Sequence, residues 1–131
     1  MTKPITEATI YVKLARYFAI MHPKVIYRFD FAAGLKMTKG QAMKHKQLNP
    51  HKGYPDLFIL ESRGKFHGMF LEIKREGESP YLKNSDVLKQ NEHSLVQADT
   101  LDRLRKRGYY AKFAVGLDEC INLIDEYLKL K

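Results

Sequence analysis

Cysteine is all but missing from these 131 residues: Cys120 is the only one. No disulfide can form within the chain, which therefore needs no oxidising compartment, and a reducing cytoplasm is the expected location. Long apolar runs are missing too. None approaches the roughly 18 residues needed to span a bilayer, and the N-terminus lacks the charged start and apolar stretch of a secretory signal, so no membrane role is expected. His22, His45, His51, His67 and His93 have no spacing typical of zinc, and Cys120 cannot complete such a site alone. The stretch from Gly34 to Gly40 lacks the lysine and serine pattern of a Walker phosphate-binding loop, which leaves an ATP-driven role without support.

Acids are missing from one segment in particular. Between Phe31 and Pro55 stand five lysines (Lys36, Lys39, Lys44, Lys46 and Lys52), two histidines and no aspartate or glutamate. With a formal net charge of +8, that segment is a candidate phosphate-facing surface, and nucleic acid is the commonest partner of such a chain. The same residues are equally explained as a solvated basic face that keeps the protein soluble. Arg103, Arg105, Lys106 and Arg107 close a predicted helix, where cations favour the helix dipole, and there the structural explanation is preferred.

What is present suits one folded domain over residues 1-131, with a hydrophobic content of 44% and no repeats. Helical spacing of Tyr11, Leu14, Ala15 and Phe18 predicts a helix from about Pro4 to Met21, broken by Pro23. Val25 to Phe31 alternates and reads as a strand closed by Gly34. A basic, weakly amphipathic helix is expected from Lys36 to about Leu48, despite Gly40. Asp56 to Glu61 and Phe66 to Arg75 read as the two strands of a hairpin. A helix follows, starting at Asn91 or Ser94 and stopped by Gly108. Tyr109 to Val115 is then a strand, reached by a right-handed helical crossover and so parallel to its neighbour. Asp118 to Leu130 closes the chain as an amphipathic helix with Ile121, Ile124 and Leu128 on one side. The fold class is α/β, with a mixed sheet of about four strands flanked by helices.

The hairpin carries the chemistry. If Arg63 to Lys65 form a three-residue loop, Ser62 opposes Phe66 and Asp56 falls opposite Glu72. Directly opposed residues share a face with Cβ atoms about 5 Å apart, and Lys74, two residues on, points the same way. Two carboxylates that close repel unless a cation lies between them. Magnesium takes one or two carboxylates, keeps several waters and accepts substrate phosphate, which is the combination phosphodiester hydrolysis needs. Lys74 can hold the attacking water and offset charge growing on phosphorus. A surface ion pair is the plain alternative. Against it, Leu57 to Leu60 and the neighbours Leu71 and Ile73 make the setting apolar, where unpaired charges are costly.

Gly53-Tyr54-Pro55-Asp56-Leu57, followed after a short hairpin by Leu71-Glu72-Ile73-Lys74, resembles the signature of the PD-(D/E)XK nuclease superfamily. The details are closest to its VRR-NUC branch, found in virus-type replication and repair nucleases. The resemblance continues through Gln97 and through Arg107-Gly108-Tyr109-Tyr110-Ala111, covering most of the chain up to about Val115. It implies a restriction-endonuclease-like αβββαβ core. It also implies Asp56, Glu72 and the backbone carbonyl of Ile73 as metal ligands, Lys74 as the catalytic lysine, and Gln97 as a helix residue that reaches the site. Glu7, on the first helix, is the candidate for an additional acid, although an acid in a first turn is favourable for the dipole alone. Asp30 could contact a second metal or water, or pair with Arg28 or a nearby lysine.

The expectation is a metal-dependent, structure-selective DNA endonuclease using Mg2+ or Mn2+, similar to the small stand-alone members that act as Holliday junction resolvases. Such members work as homodimers, and the C-terminal helix or Phe18 with its neighbours is the candidate interface. The alternative is a non-catalytic nucleic-acid-binding module on a nuclease fold, against which the intact Asp56, Glu72 and Lys74 argue. Tyr54, Tyr81, Tyr109 and Tyr110 could stack on bases, though aromatic residues beside strands usually belong to a core.

Overall fold

Thr6 starts the fold by capping the first helix, its hydroxyl accepting from the amide of Thr9. The computed structural model describes residues 5–30 and 36–131; Pro4, Phe31 and Gly34, named above as element boundaries, lie outside them. Helix α1 spans Glu7–Met21 and buries Ile10, Leu14 and Phe18. Strand β1 is Tyr27–Phe29, shorter than predicted. The amide of Val25 closes a turn onto the carbonyl of His22 after the helix, which leaves it unavailable to a ladder.

Helix α2, Lys39–Leu48, forms despite its polar sequence because Thr38 and Gln41 make a reciprocal capping box. It begins three residues later than the composition suggests, and none of its residues is buried. Strands β2 (Leu57–Ile59) and β3 (Met69–Lys74) follow, then α3 (Glu92–Lys106), β4 (Tyr110–Val115) and α4 (Leu117–Leu128). The four strands form one sheet in the order β1-β2-β3-β4. The first two pairings are antiparallel, whereas β3 and β4, joined through α3, run parallel. This is the mixed sheet of the restriction-endonuclease-like core, with α2 inserted between β1 and β2.

The hairpin corrects the sequence reading in its tip and not in its register. Arg63 and Phe66 exchange backbone hydrogen bonds of 3.1 and 2.8 Å around Gly64 and Lys65, so the turn has two residues and not three. Further down, Leu57 pairs with Leu71 and Ile59 with Met69. The side between Ile59 and Arg63 therefore carries one residue more than the side between Phe66 and Met69, as in a bulge. Both strands are shorter than expected. His67 and Gly68 bond instead to Gly108 and Tyr110 at the start of β4.

Every residue of β3 is buried, because helices cover both faces of this central strand. Met69, Leu71 and Ile73 join Leu57, Ile59 and the inward residues of α1 and α4 in the larger core. Phe70 packs on the other side with Leu101, Ala111 and Phe113 under α3. Phe18, offered above as part of a subunit interface, is 1% exposed and stacks on Tyr27 inside the core. The buried face of α4 is likewise occupied, by Cys120, Ile124, Tyr127 and Leu128. Burial pushes the Cys120 thiol up to about 12, which keeps it protonated and inert. Arg105 and Lys106 both approach Asp102 on α3, and Arg105 Nε donates to the carbonyl of Ala111, so that part of the basic helix end is engaged locally. Among the described residues no helix is long and apolar enough to cross a membrane.

Candidate active site

The ladder between β2 and β3 ends at Leu57–Leu71, which leaves Asp56, the next residue outward, level with Glu72. Freed from the sheet, the Asp56 side chain turns onto the edge of β3, and its Oδ2 accepts the amide of Ile73 at 2.7 Å. The Tyr11 hydroxyl on α1 also faces Asp56 and favours its ionised form. The segment that delivers Asp56 is fixed from behind. Gly53 has φ +78, and a Cβ there would lie 2.9 Å from Val96 Cγ1 and 3.0 Å from the Val96 carbonyl of α3. Only glycine combines that backbone conformation with so close an approach. His51 and the carbonyl of Lys52 add hydrogen bonds to Thr100 Oγ1.

Glu72 is 4% exposed and Lys74 8%, so their pairing is not a surface one. Lys74 Nζ lies 3.9 Å from Glu72 Oε1. Gln97, in the middle of α3, donates from Nε2 to the same oxygen at 2.6 Å. Glu72 Oε2 and Gln97 Oε1 are buried with no hydrogen-bond partner. Buried polar atoms are nearly always partnered, so two orphaned oxygens in one site mark a place that an ion or an ordered water would complete.

The electrostatics agree. Burial, followed by the charge of Asp56, pushes the Glu72 carboxyl up to about 9, and the Lys74 ammonium only partly offsets this. Asp56 is raised as well, again by burial first, with the Ile73 amide and the Tyr11 hydroxyl pulling the other way. Glu7, at the start of α1, is half-buried and raised by its own desolvation and then by Asp56. It stands at the edge of the site. Among the described residues, no three histidine, cysteine, aspartate or glutamate side chains come together to hold a metal ion. The site thus offers two carboxylates and backbone, a donor set that suits magnesium, which keeps much of its water, better than zinc.

A cleft of about 1040 Å3 opens in front of Asp56, Glu72 and Gln97. Asp30 lines it, its amide donating to the Asp56 carbonyl at 2.8 Å. Of the five lysines in the basic segment only Lys44 lines the cleft; Lys36, Lys39, Lys46 and Lys52 are exposed outside it. The structure therefore brings together Asp56, Glu72, Ile73, Lys74 and Gln97, with Asp30 in the cleft lining and Glu7 close enough to feel the charges of Asp56 and Lys74. Tyr11 was missed by the sequence reading, which took it as an inward helix residue. The available signal was its position four residues after Glu7 on the same stripe.

No protein-family model matches the chain, and no curated protein matches it. A solved structure described as a VRR_NUC domain protein superposes with a TM-score of 0.72 at 27% sequence identity, over 98% of this chain and 93% of its own. The likeness spans the whole arrangement of sheet and helices and agrees with the resemblance carried by Gly53 to Leu57 and Leu71 to Lys74.

Proposed function

The chain has the VRR-NUC nuclease fold, and on that premise we propose that it is a metal-dependent endonuclease that hydrolyses DNA phosphodiester bonds. The observation that carries this reading is the Glu72 carboxylate, buried beside Asp56 and Lys74 with one oxygen held by Gln97 and the other without a partner. Asp56, Glu72 and the Ile73 carbonyl are the residues to hold Mg2+ or Mn2+. When bound, that ion supplies a Lewis acid for the phosphodiester and lowers the pKa of a coordinated water.

The chain's own residues do the rest. The Ile73 amide holds the Asp56 carboxylate, which the Tyr11 hydroxyl faces, and Gln97 fixes the rotation of Glu72 by holding Oε1. Lys74 Nζ orients the attacking water and balances charge that develops on the phosphoryl oxygens, with greater effect because it is buried away from solvent. Glu7 adds negative charge at the margin, from where it can order a water. The basic α2 and Lys44 at the cleft wall attract the phosphate backbone without reading sequence.

Structured or branched DNA is the substrate this reading favours, Holliday junctions among them, and a homodimer is the assembly that cuts opposing strands. Val12, Ile20 and Met21 of α1 and the nearby Ile26 are exposed apolar side chains on offer to a second copy. The test is to incubate labelled four-way, flap, single-stranded and duplex DNA with magnesium, manganese or chelator, using wild type, Asp56→Asn and Lys74→Ala. Metal-dependent cutting that disappears in both variants supports the nuclease. Binding without cutting by the wild type under every condition would assign the chain to the non-catalytic binding modules.

A further inference from the structure

We propose that the cleft in front of Asp56 and Glu72 is a base-stacking channel, so that the strand it accepts is unpaired next to the bond to be cut. This deepens the nuclease reading and rests on it for the identity of the ligand as nucleic acid. Helix α3 packs against β4 and covers Phe70, while the same face of β1 and β2 borders the cleft. On that face the Phe58 ring lies parallel to Phe70, 4.2 Å away and tilted by 2°. Tyr54, 48% exposed, stands edge-on to Phe70 at 6.0 Å, and Leu60, 47% exposed, lines the same cleft just past the end of β2. Arg28, paired with Phe58 across the ladder, adds an exposed cation at the rim.

Single exposed apolar side chains are ordinary. Two aromatic rings that both pack on Phe70, the half-buried Phe58 and the exposed Tyr54, are different when a leucine and a guanidinium flank them and two carboxylates share their cleft. Flat rings and anionic backbone together are what such a surface accepts. The opposite wall agrees, because Lys44 and His45 of α2 face the cleft and Leu48, 70% exposed, contributes an apolar patch. In a duplex the faces of the bases are covered by their neighbours and only the edges reach a groove. An aromatic floor is useful only to bases that have left the stack. The cleft volume of about 1040 Å3 lies at the upper end of what one small ligand occupies, which leaves room for more than one nucleotide.

The experiment uses the full chain in chelator, so that binding is read without cutting. The probes are a single-stranded DNA oligonucleotide carrying 2-aminopurine and a blunt duplex of the same length. The expected result is tighter binding of the single strand, with 2-aminopurine quenched as it stacks. Tyr54→Ala and Phe58→Leu should each weaken single-strand binding about tenfold and relieve the quench, while duplex binding changes little and Tyr54→Phe behaves as wild type. Phe58→Leu keeps an apolar side chain against Phe70, and its urea unfolding curve separates lost stacking from lost folding. Equal affinity for both probes, or single-strand binding and quench unaltered in a folded Tyr54→Ala, would overturn the inference. So would light scattering that shows a wild-type dimer dissociated by Tyr54→Ala or Leu60→Lys, since the cleft would then be a contact between copies. Quench without any metal-dependent cutting leaves the channel standing and removes the nuclease; cutting without quench does the reverse.

Discussion

Gln97 Nε2 donates a 2.6 Å hydrogen bond to Glu72 Oε1, and each of the two side chains keeps one buried oxygen without a partner. A helix residue thereby sets the orientation of a strand carboxylate 25 positions earlier in the chain. Residues that orient metal ligands commonly change metal affinity or activity by about 10–100-fold when removed. Gln97→Ala should raise the magnesium concentration needed for half-maximal cutting by that order. A magnesium titration of cutting rate measures it, and an unaltered midpoint would show that Glu72 needs no such support.

The buried carboxyls give the metal-free protein an unusual dependence on pH. Glu72 is pushed up to about 9 and Asp56 is also raised. An acid with a raised folded-state pKa keeps its proton in the folded chain at pH values where the unfolded chain has lost it. Between about pH 4.5 and 9 the folded state therefore binds more protons, and stability falls as pH rises. Urea unfolding in chelator should show a midpoint that declines over this window. Glu72→Gln should flatten the decline while abolishing cutting, and magnesium should restore wild-type stability at the alkaline end by binding the ionised pair. A wild-type midpoint that climbs with pH would contradict the assignment.

Gly53→Ala should destabilise the protein by about 1–3 kcal/mol, because alanine must adopt φ +78 and its Cβ meets Val96. Cutting should fall with it, since the same segment delivers Asp56. Urea unfolding and a cutting assay on one preparation test both. Substitution at Gly40, where a Cβ meets nothing, is the control.

Replacing Lys39, Lys44 and Lys46 together by alanine should leave the unfolding temperature nearly unchanged, because no residue of α2 is buried. Binding to duplex DNA should weaken, and the slope of log affinity against log salt should lose up to about 0.9 per phosphate contact removed. A wild-type salt slope in this variant would show that α2 does not meet the backbone.

Much of the site was legible because it sits on elements with strong periodicity. The alternation of Leu71 and Ile73 with Glu72 and Lys74 fixed which side chains share a face, and the apolar strand after Asp56 pinned the register against β3. The three-residue tip on which that register was argued does not exist. The register survives because burial of Leu57, Ile59, Met69 and Leu71 determines it, and the additional residue before Arg63 absorbs the difference. Gln97 was found through resemblance, whereas Tyr11 was passed over, because an aromatic residue on an inward helical stripe looks like core until the carboxylate near its hydroxyl is known. The cleft was not legible at all. It arises between α2 and the sheet face of β1 and β2, a juxtaposition that no local pattern encodes.

That α2 buries none of its residues has a consequence for how such a protein can change. A helix whose sequence is not dictated by packing can drift, provided Thr38 and Gln41 continue to start it. Charge along the cleft wall can therefore be rewritten on this one helix, by selection or in the laboratory, without disturbing the packing that holds Asp56 and Glu72 in place.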